Sequence, residues 1–338
     1  MRHLSRRHAI SLLGGTAVAG LAGRHASAAA QPTKLIMTME FTPQGFHMPF
    51  YYARQKGWFE QAGIDLEIKD GKGSAVTINL VGAGQSDLGF TPGSAAAIAR
   101  PKGVPVKTIA TILHRSAYGL IIRPGLNLRR PEDFKGKEIV FTNGAIEGQL
   151  TEAFLAKGGL KKGDYRLLGV DAGSKVASIV SGKSDAACAP VPFYTGLLKG
   201  KQEIDSLLYS DFGINMVDIG IISSDDTIKD KGPALKRFVG VMSRAYAEVA
   251  AGQQEEGAAA MRAARPDGTI DAPALVNMFN AYIPLADGPD SHGKPIGYIS
   301  KAGWVETVES LEGLALVAKG TKPEGMYDLA FGPGGASQ

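Results

Sequence analysis

The segment GQSDLGFTP at 84–92 returns as GKSDAACAP at 182–190, and each copy follows a second shared element, GSAV at 73–76 and GSKV at 173–176. Two matches in the same order, in a chain without low-complexity character, constrain the fold to two half-structures built on one plan. Each copy reads as one corner. The glycine ends a helix, the aspartate opens a turn, a short apolar strand follows, and a proline-bearing loop closes it.

Around these corners the hydrophobic period alternates between strand and helix. Strands are predicted at 34–41, 64–71, 87–90 and 104–113, with helices at Pro49–Ala62, Ser74–Gly82 and Gly93–Arg100. A second series follows, with strands at 118–124, 136–141, 165–170 and 185–189 and helices at Glu147–Lys157, Val176–Ser181 and Pro190–Lys199. VDIGIISS (217–224) reads as one more strand, and a helix-rich stretch runs from Lys231 to about 320. This βαβα order implies an α/β fold of two lobes, each a mixed, mostly parallel sheet flanked by helices. Ligands of open α/β sheets sit beyond the carboxyl ends of the strands. Thr91–Ser94 and Ala189–Pro192 both occupy that position, so two such lobes facing each other make a cleft.

The first 28 residues stand apart. Arg6 and Arg7 precede a Gly/Ala-rich apolar run that ends in ASA at 26–28, the pattern of a Tat-like export signal cleaved near Ala28, with Sec export as the alternative. Four arginines and no acids lie in that segment, and they account for the formal charge of +4. The remainder is balanced, which removes the electrostatic footprint expected for nucleic acid or an anionic membrane. The lone Cys188 lies in an apolar run, reads as a small buried hydrophobe and cannot form an internal disulfide.

FTPQGFHMPFYYARQKGWFEQAGIDLEI (41–68), GSAV…AGQSDLGF (73–90), RRPEDFKGKEIVF (129–141) and SGKSDAACA (181–189) resemble, in order, the periplasmic solute-binding proteins of ABC importers. The resemblance is to the nitrate/sulfonate/taurine and thiamine-pyrimidine-precursor branch and covers about residues 34–250. It implies a type II periplasmic binding protein whose lobes, joined by two crossovers, close on a small solute and dock on a permease with its ATPase. The expected division is 33–118 for lobe one and 119–222 for lobe two. Residues 223–331 return to lobe one, and 332–338 form a disordered tail. A monomer without cofactor or metal is expected, located in the periplasm.

Four loops then line the expected cleft. The first carries Phe41, Thr42, Gln44, Phe46, His47 and Phe50, where aromatics hold a flat ligand or, for Phe50, pack in the core. His47 and His114, at strand-end loops, either hydrogen-bond a ligand or are solvated. Gly73 and Ser74, like Thr91, Gly93 and Ser94, offer helix N-terminal amides to an anion, or the serines simply cap their helices. In lobe two the resemblance places Asn143, Gly144, Ala145 and Ile146 against ligand. Glu147 is either a first-turn helix charge or an acceptor for a ligand amine, and Val191, Phe193 and Tyr194 form the far wall. With only Lys72 and Arg115 as nearby cations, an aromatic or heteroaromatic solute is expected at least as readily as a sulfonate. The rival class is a pyrimidine synthase on the same fold, but its cysteine-rich segment has no counterpart here. A third is a ligand sensor.

Overall fold

The computed structural model describes residues 31–333 apart from 42, 144, 172, 173 and 289. The expected export signal and most of the expected tail lie outside these residues. The first series comprises β1 (Thr33–Met39), α1 (Met48–Gln55), α2 (Trp58–Gln61), β2 (Ile64–Lys69), α3 (Ser74–Gly82), β3 (Leu88–Pro92), α4 (Gly93–Ala99) and β4 (Val106–Thr111). The single helix expected over 49–62 divides because Gly57 adopts φ +67°, a left-handed conformation that a right-handed helix cannot propagate through. The second series comprises β5 (Tyr118–Ile122), β6 (Glu138–Thr142), α5 (Glu147–Lys157), β7 (Arg166–Val170), α6 (Ser174–Val180), β8 (Ala186–Pro190), α7 (Val191–Leu198) and β9 (Asp205–Leu208). Then come β10 (Ile219–Ser224), α8 (Asp225–Ala250), α9 (Gln254–Ala264), α10 (Ala272–Tyr282) and α11 (Lys301–Gly313). No helix among the described residues is long and apolar enough to cross a membrane.

Two five-stranded sheets result, in the orders β2-β1-β3-β10-β4 and β7-β6-β8-β5-β9. In each, the first three strands are parallel and the fourth is antiparallel to both neighbours. The reversed strand is always the one that has just crossed from the other lobe, β10 in the first sheet and β5 in the second. This corrects the expected boundary at 222/223. Periodicity identifies 217–224 as a strand but says nothing about its sheet, and β10 inserts between β3 and β4.

The repeated corners are equivalent in detail. Gly84 and Gly182 take φ +70° and +73°. The Asp87 amide donates to Ile36 O, and its Oδ2 accepts from Ile36 N at 2.9 Å. The Asp185 amide donates to Glu138 O, and its Oδ2 accepts from Glu138 N at 3.0 Å. Each remaining carboxylate oxygen takes a cation, Lys231 at 2.7 Å for Asp87 and Arg123 at 2.6 Å for Asp185. Each aspartate therefore ties its own strand corner to a neighbouring strand and holds the register between them.

The crossovers, 112–117 and 209–218, are bound to one another. Ser116 N donates to Asn215 Oδ1 at 3.0 Å, and Ala117 N to Asp218 Oδ2 at 2.6 Å. Helix α11 clamps the second crossover, with Val217 N donating to Thr307 Oγ1 at 2.8 Å and Asn215 Nδ2 to Glu306 at 3.3 Å.

Candidate ligand cleft

At the carboxyl end of β1, three side chains come together. Gln44 N donates to His47 Nδ1 at 3.2 Å, which assigns the proton of a neutral imidazole to Nε2. That Nε2 lies 3.5 Å from Glu40 Oε2, and the ring packs edge-on against Phe90. Gln44 Nε2 donates to Glu40 Oε1 at 3.2 Å. Three buried atoms then remain without a hydrogen-bond partner: Glu40 Oε2, Gln44 Oε1 and His47 Nε2. Leaving one such atom unmade costs about 1–3 kcal/mol, and two acceptors and a donor gathered at one strand end mark it as a candidate polar recognition site.

Asp218 is buried at the end of the second crossover, and burial pushes its carboxyl up to about 7, with the Ala117 amide opposing the rise and Glu40 adding to it. Burial, then Glu147, Asp218, Cys188 and Glu40, hold the Tyr118 hydroxyl well above the usual phenol range. Burial followed by Glu40 and Asp218 does the same to Tyr282, and burial with Glu147 takes Tyr194 up to about 12. Tyr118 and Tyr194 nevertheless retain accessible surface. Tyr118 is thus within electrostatic reach of acids from both lobes, Glu147 of one and Glu40 of the other.

On the lobe-two side, Lys175 Nζ sits 2.9 Å from Glu147 Oε1 and 3.0 Å from Oε2, and donates to Cys188 O at 2.9 Å. Glu147 Oε2 also accepts from Thr142 N at 2.7 Å. Glu147 is thus the anchor of the α5 N-terminus, with both oxygens engaged, rather than an open acceptor for a ligand amine.

The expected ligand contacts fall in several different environments. Phe46 and Phe50 are core residues, 2% and 0% exposed, because they complete an aromatic cluster with Phe90, Phe238, Tyr246, Phe279 and Tyr282. His114 is buried against Tyr298 in the C-terminal segment, and desolvation lowers its imidazole to about 4. The Gly93 and Ser94 amides donate to Asp218 O and Val217 O, so the return crossover holds the helix end that was expected to receive an anion. The Gly73 amide donates to Glu40 O at 2.7 Å, while Ser74 is half-buried. Asn143 is exposed and lies over Gly169 of β7, and the Ala145 amide closes a turn on Thr142 O. Ile146 and Phe193 pack partly buried against apolar clusters, Val191 is buried, and Phe41 is exposed. Thr91 is fully buried with its hydroxyl unpartnered. Thr42 and Gly144 lie outside the described residues. The sequence reading did not single out Glu40, Tyr118, Lys175 or Asp218. Glu40 was within reach of the strand-end rule that selected its neighbours, whereas Asp218 carries no local signal.

Three comparisons bear on this geometry. The family described as NMT1/THI5 like matches residues 44–256. The 4-amino-5-hydroxymethyl-2-methylpyrimidine phosphate synthase THI12 of Saccharomyces cerevisiae is 30% identical over 160 residues, 45% of this chain and 45% of that one. The chain thus spans under half the length of the yeast synthases it matches. Riboflavin-binding protein RibY of Chloroflexus aurantiacus is 22% identical over 318 residues, covering 91% of this chain and 89% of that one. The crystal structure of the periplasmic aliphatic sulphonate binding protein SsuA from Escherichia coli superposes with a TM-score of 0.69 at 14% identity, over 88% of this chain and 92% of the other. The fold is that of the two-lobed periplasmic binding proteins.

Proposed function

The chain belongs to the NMT1/THI5-like family, and from that premise we propose that it is the extracytoplasmic solute-binding component of an ABC import system. It takes a small nitrogen heterocycle into the interlobe cleft by hinge closure and hands it, unchanged, to a permease with its ATPase. The observation that carries this reading is the set of unpartnered atoms on Glu40, Gln44 and His47. Glu40 Oε2 and Gln44 Oε1 accept from ring or exocyclic N–H groups, and His47 Nε2–H donates to a ring nitrogen. Tyr118 and Tyr194 supply flat walls.

A sulfonate or taurine-type solute, the runner-up, is disfavoured by charge. Glu40 and Asp218 meet it with like sign or, for a protonated Asp218, with none. Lys175 is already neutralised by Glu147, and Arg115 is paired with Asp211. The names of two relatives, a pyrimidine phosphate synthase and a riboflavin-binding protein, agree with a heteroaromatic guest. Closure follows because only the closed state supplies both walls, so solute shifts the population toward it.

The test is mass spectrometry of whatever co-purifies, then a thermal-shift screen of aminopyrimidines, flavins, aromatic acids and sulfonates, with calorimetry on the hits. A heterocycle bound with affinity and recovered intact is expected. A sulfonate as the tightest solute would replace the charge argument, and conversion of a bound heterocycle would make the chain a synthase. Genes for a permease and an ATPase beside this one separate the importer from a sensor.

A further inference from the structure

Two glycines, one from each lobe, abut helix α10 at Met278. A Cβ on Gly45, in the turn before α1, would sit 2.0 Å from Leu275 O and 2.7 Å from Met278 Cβ. A Cβ on Gly196, in α7 of the second lobe, would sit 2.4 Å from Met278 Cα and 2.5 Å from Met278 N. Neither glycine has a positive φ, so conformational freedom does not explain them. Gly196 is inside a helix, where glycine is otherwise unfavourable. Close backbone approach is the remaining physical reason for both. Two further contacts extend this seam. Phe193 of α7 packs on the first lobe's core, which includes Leu275, Phe279 and Tyr282 of α10. Lys201, just past α7, reaches Asp271 at 3.0 Å, and Asp271 also caps α10 by accepting from Ala274 N at 2.8 Å.

We infer that α10 is the seat on which the second lobe closes, and that Gly196 is the position that sets how far it closes. This rests on the hinge-closing binder proposed above and adds to it a contact that needs no solute. Helix α10 is fixed in the first lobe by Gly45 and its apolar side chains, and at the same Met278 it receives α7 backbone to backbone. Solute contacts then add to an interlobe adhesion already built into the chain, and the glycine at 196 defines the closed angle.

Small-angle scattering on the chain without its first 28 residues and without added solute tests this. Gly196→Leu is expected to enlarge the radius of gyration while far-UV circular dichroism stays at the parent value. An unchanged radius with unchanged dichroism overturns the seat. Should leucine unfold the second lobe, Lys201→Cys with Asp271→Cys keeps the question open to measurement. A short bis-maleimide is expected to bridge the two sites in the solute-free protein and to keep the parent radius, and Cys188, fully buried, does not compete. Failure to bridge, or a bridged protein of different radius, overturns the proposal. Both arms omit solute. They therefore fail independently of the functional reading, which fails instead if no heterocycle binds the parent protein.

Discussion

Lys175 and Glu147 form an ion pair that is almost wholly removed from water, with side-chain exposures of 3% and 6%. The pair joins the N-terminus of α5 to α6, and the carbonyl of Cys188 on β8 and the amide of Thr142 on β6 satisfy the remaining valences. Four elements at the cleft face of lobe two thus depend on one charge pair.

Breaking such a pair leaves a buried charge uncompensated, at a cost of about 3–5 kcal/mol. Lys175→Met is expected to lose that much in urea unfolding, and Glu147→Gln a comparable amount. The double variant is expected to lose less than the two singles together, because neither charge is then stranded. A loss below about 1 kcal/mol for both singles would place the pair in contact with water, contrary to its burial.

Glu40→Gln replaces an acceptor with an amide of similar shape. For a heterocycle that donates N–H to Oε2, affinity should fall at least about tenfold, roughly 1.4 kcal/mol, with little change in the unfolding midpoint. Calorimetry against the best compound of the thermal-shift screen reads this directly. Undiminished affinity would remove Glu40 from the site.

Asp87 and Asp185 make the same pair of bonds in the two lobes. Each alanine substitution leaves a strand amide, Ile36 N or Glu138 N, without its acceptor. Losses of about 1–3 kcal/mol are expected for each, similar in size. Hydrogen exchange would show each change confined to its own lobe. A large loss from one and none from the other would mean the corners are alike in sequence only.

Two buried groups give opposite dependences of stability on pH. The Asp218 carboxyl is raised from 3.8 to about 7, so the folded protein holds a proton that the unfolded chain releases, and stability falls as pH rises across that interval. The His114 imidazole is lowered from 6.5 to about 4, so the unfolded chain holds the extra proton, and stability rises with pH across that interval. Each limb amounts to a few kcal/mol at most, on the order of 1.4 per pH unit, and the limbs oppose each other over most of their range. Asp218→Asn keeps an acceptor for Ala117 N but removes one limb. Urea midpoints between about pH 4.5 and 6.5 should then climb with pH more steeply in the variant than in the parent. Parallel profiles would show that Asp218 does not titrate in this range.

The amino-acid sequence by itself determined the paired corners, because glycine, aspartate and proline act there through the backbone beside them. Gly84 and Gly182 terminate helices, Pro92 and Pro190 end strands, and the helices α3 and α5 fall where the apolar period places them. Which sheet β10 would join, and which polar atoms would be left unpaired, was decided only by the tertiary structure. Asp218 meets Ala117, Lys175 meets Glu147, and α10 meets α7 across long stretches of chain. The strength of each contact is set by burial, which no local pattern contains. Phe46 and Phe50 carry the same lesson in reverse. Their residue type suits a ligand stack or a core equally, and the packing of α8 and α10 around them settles it.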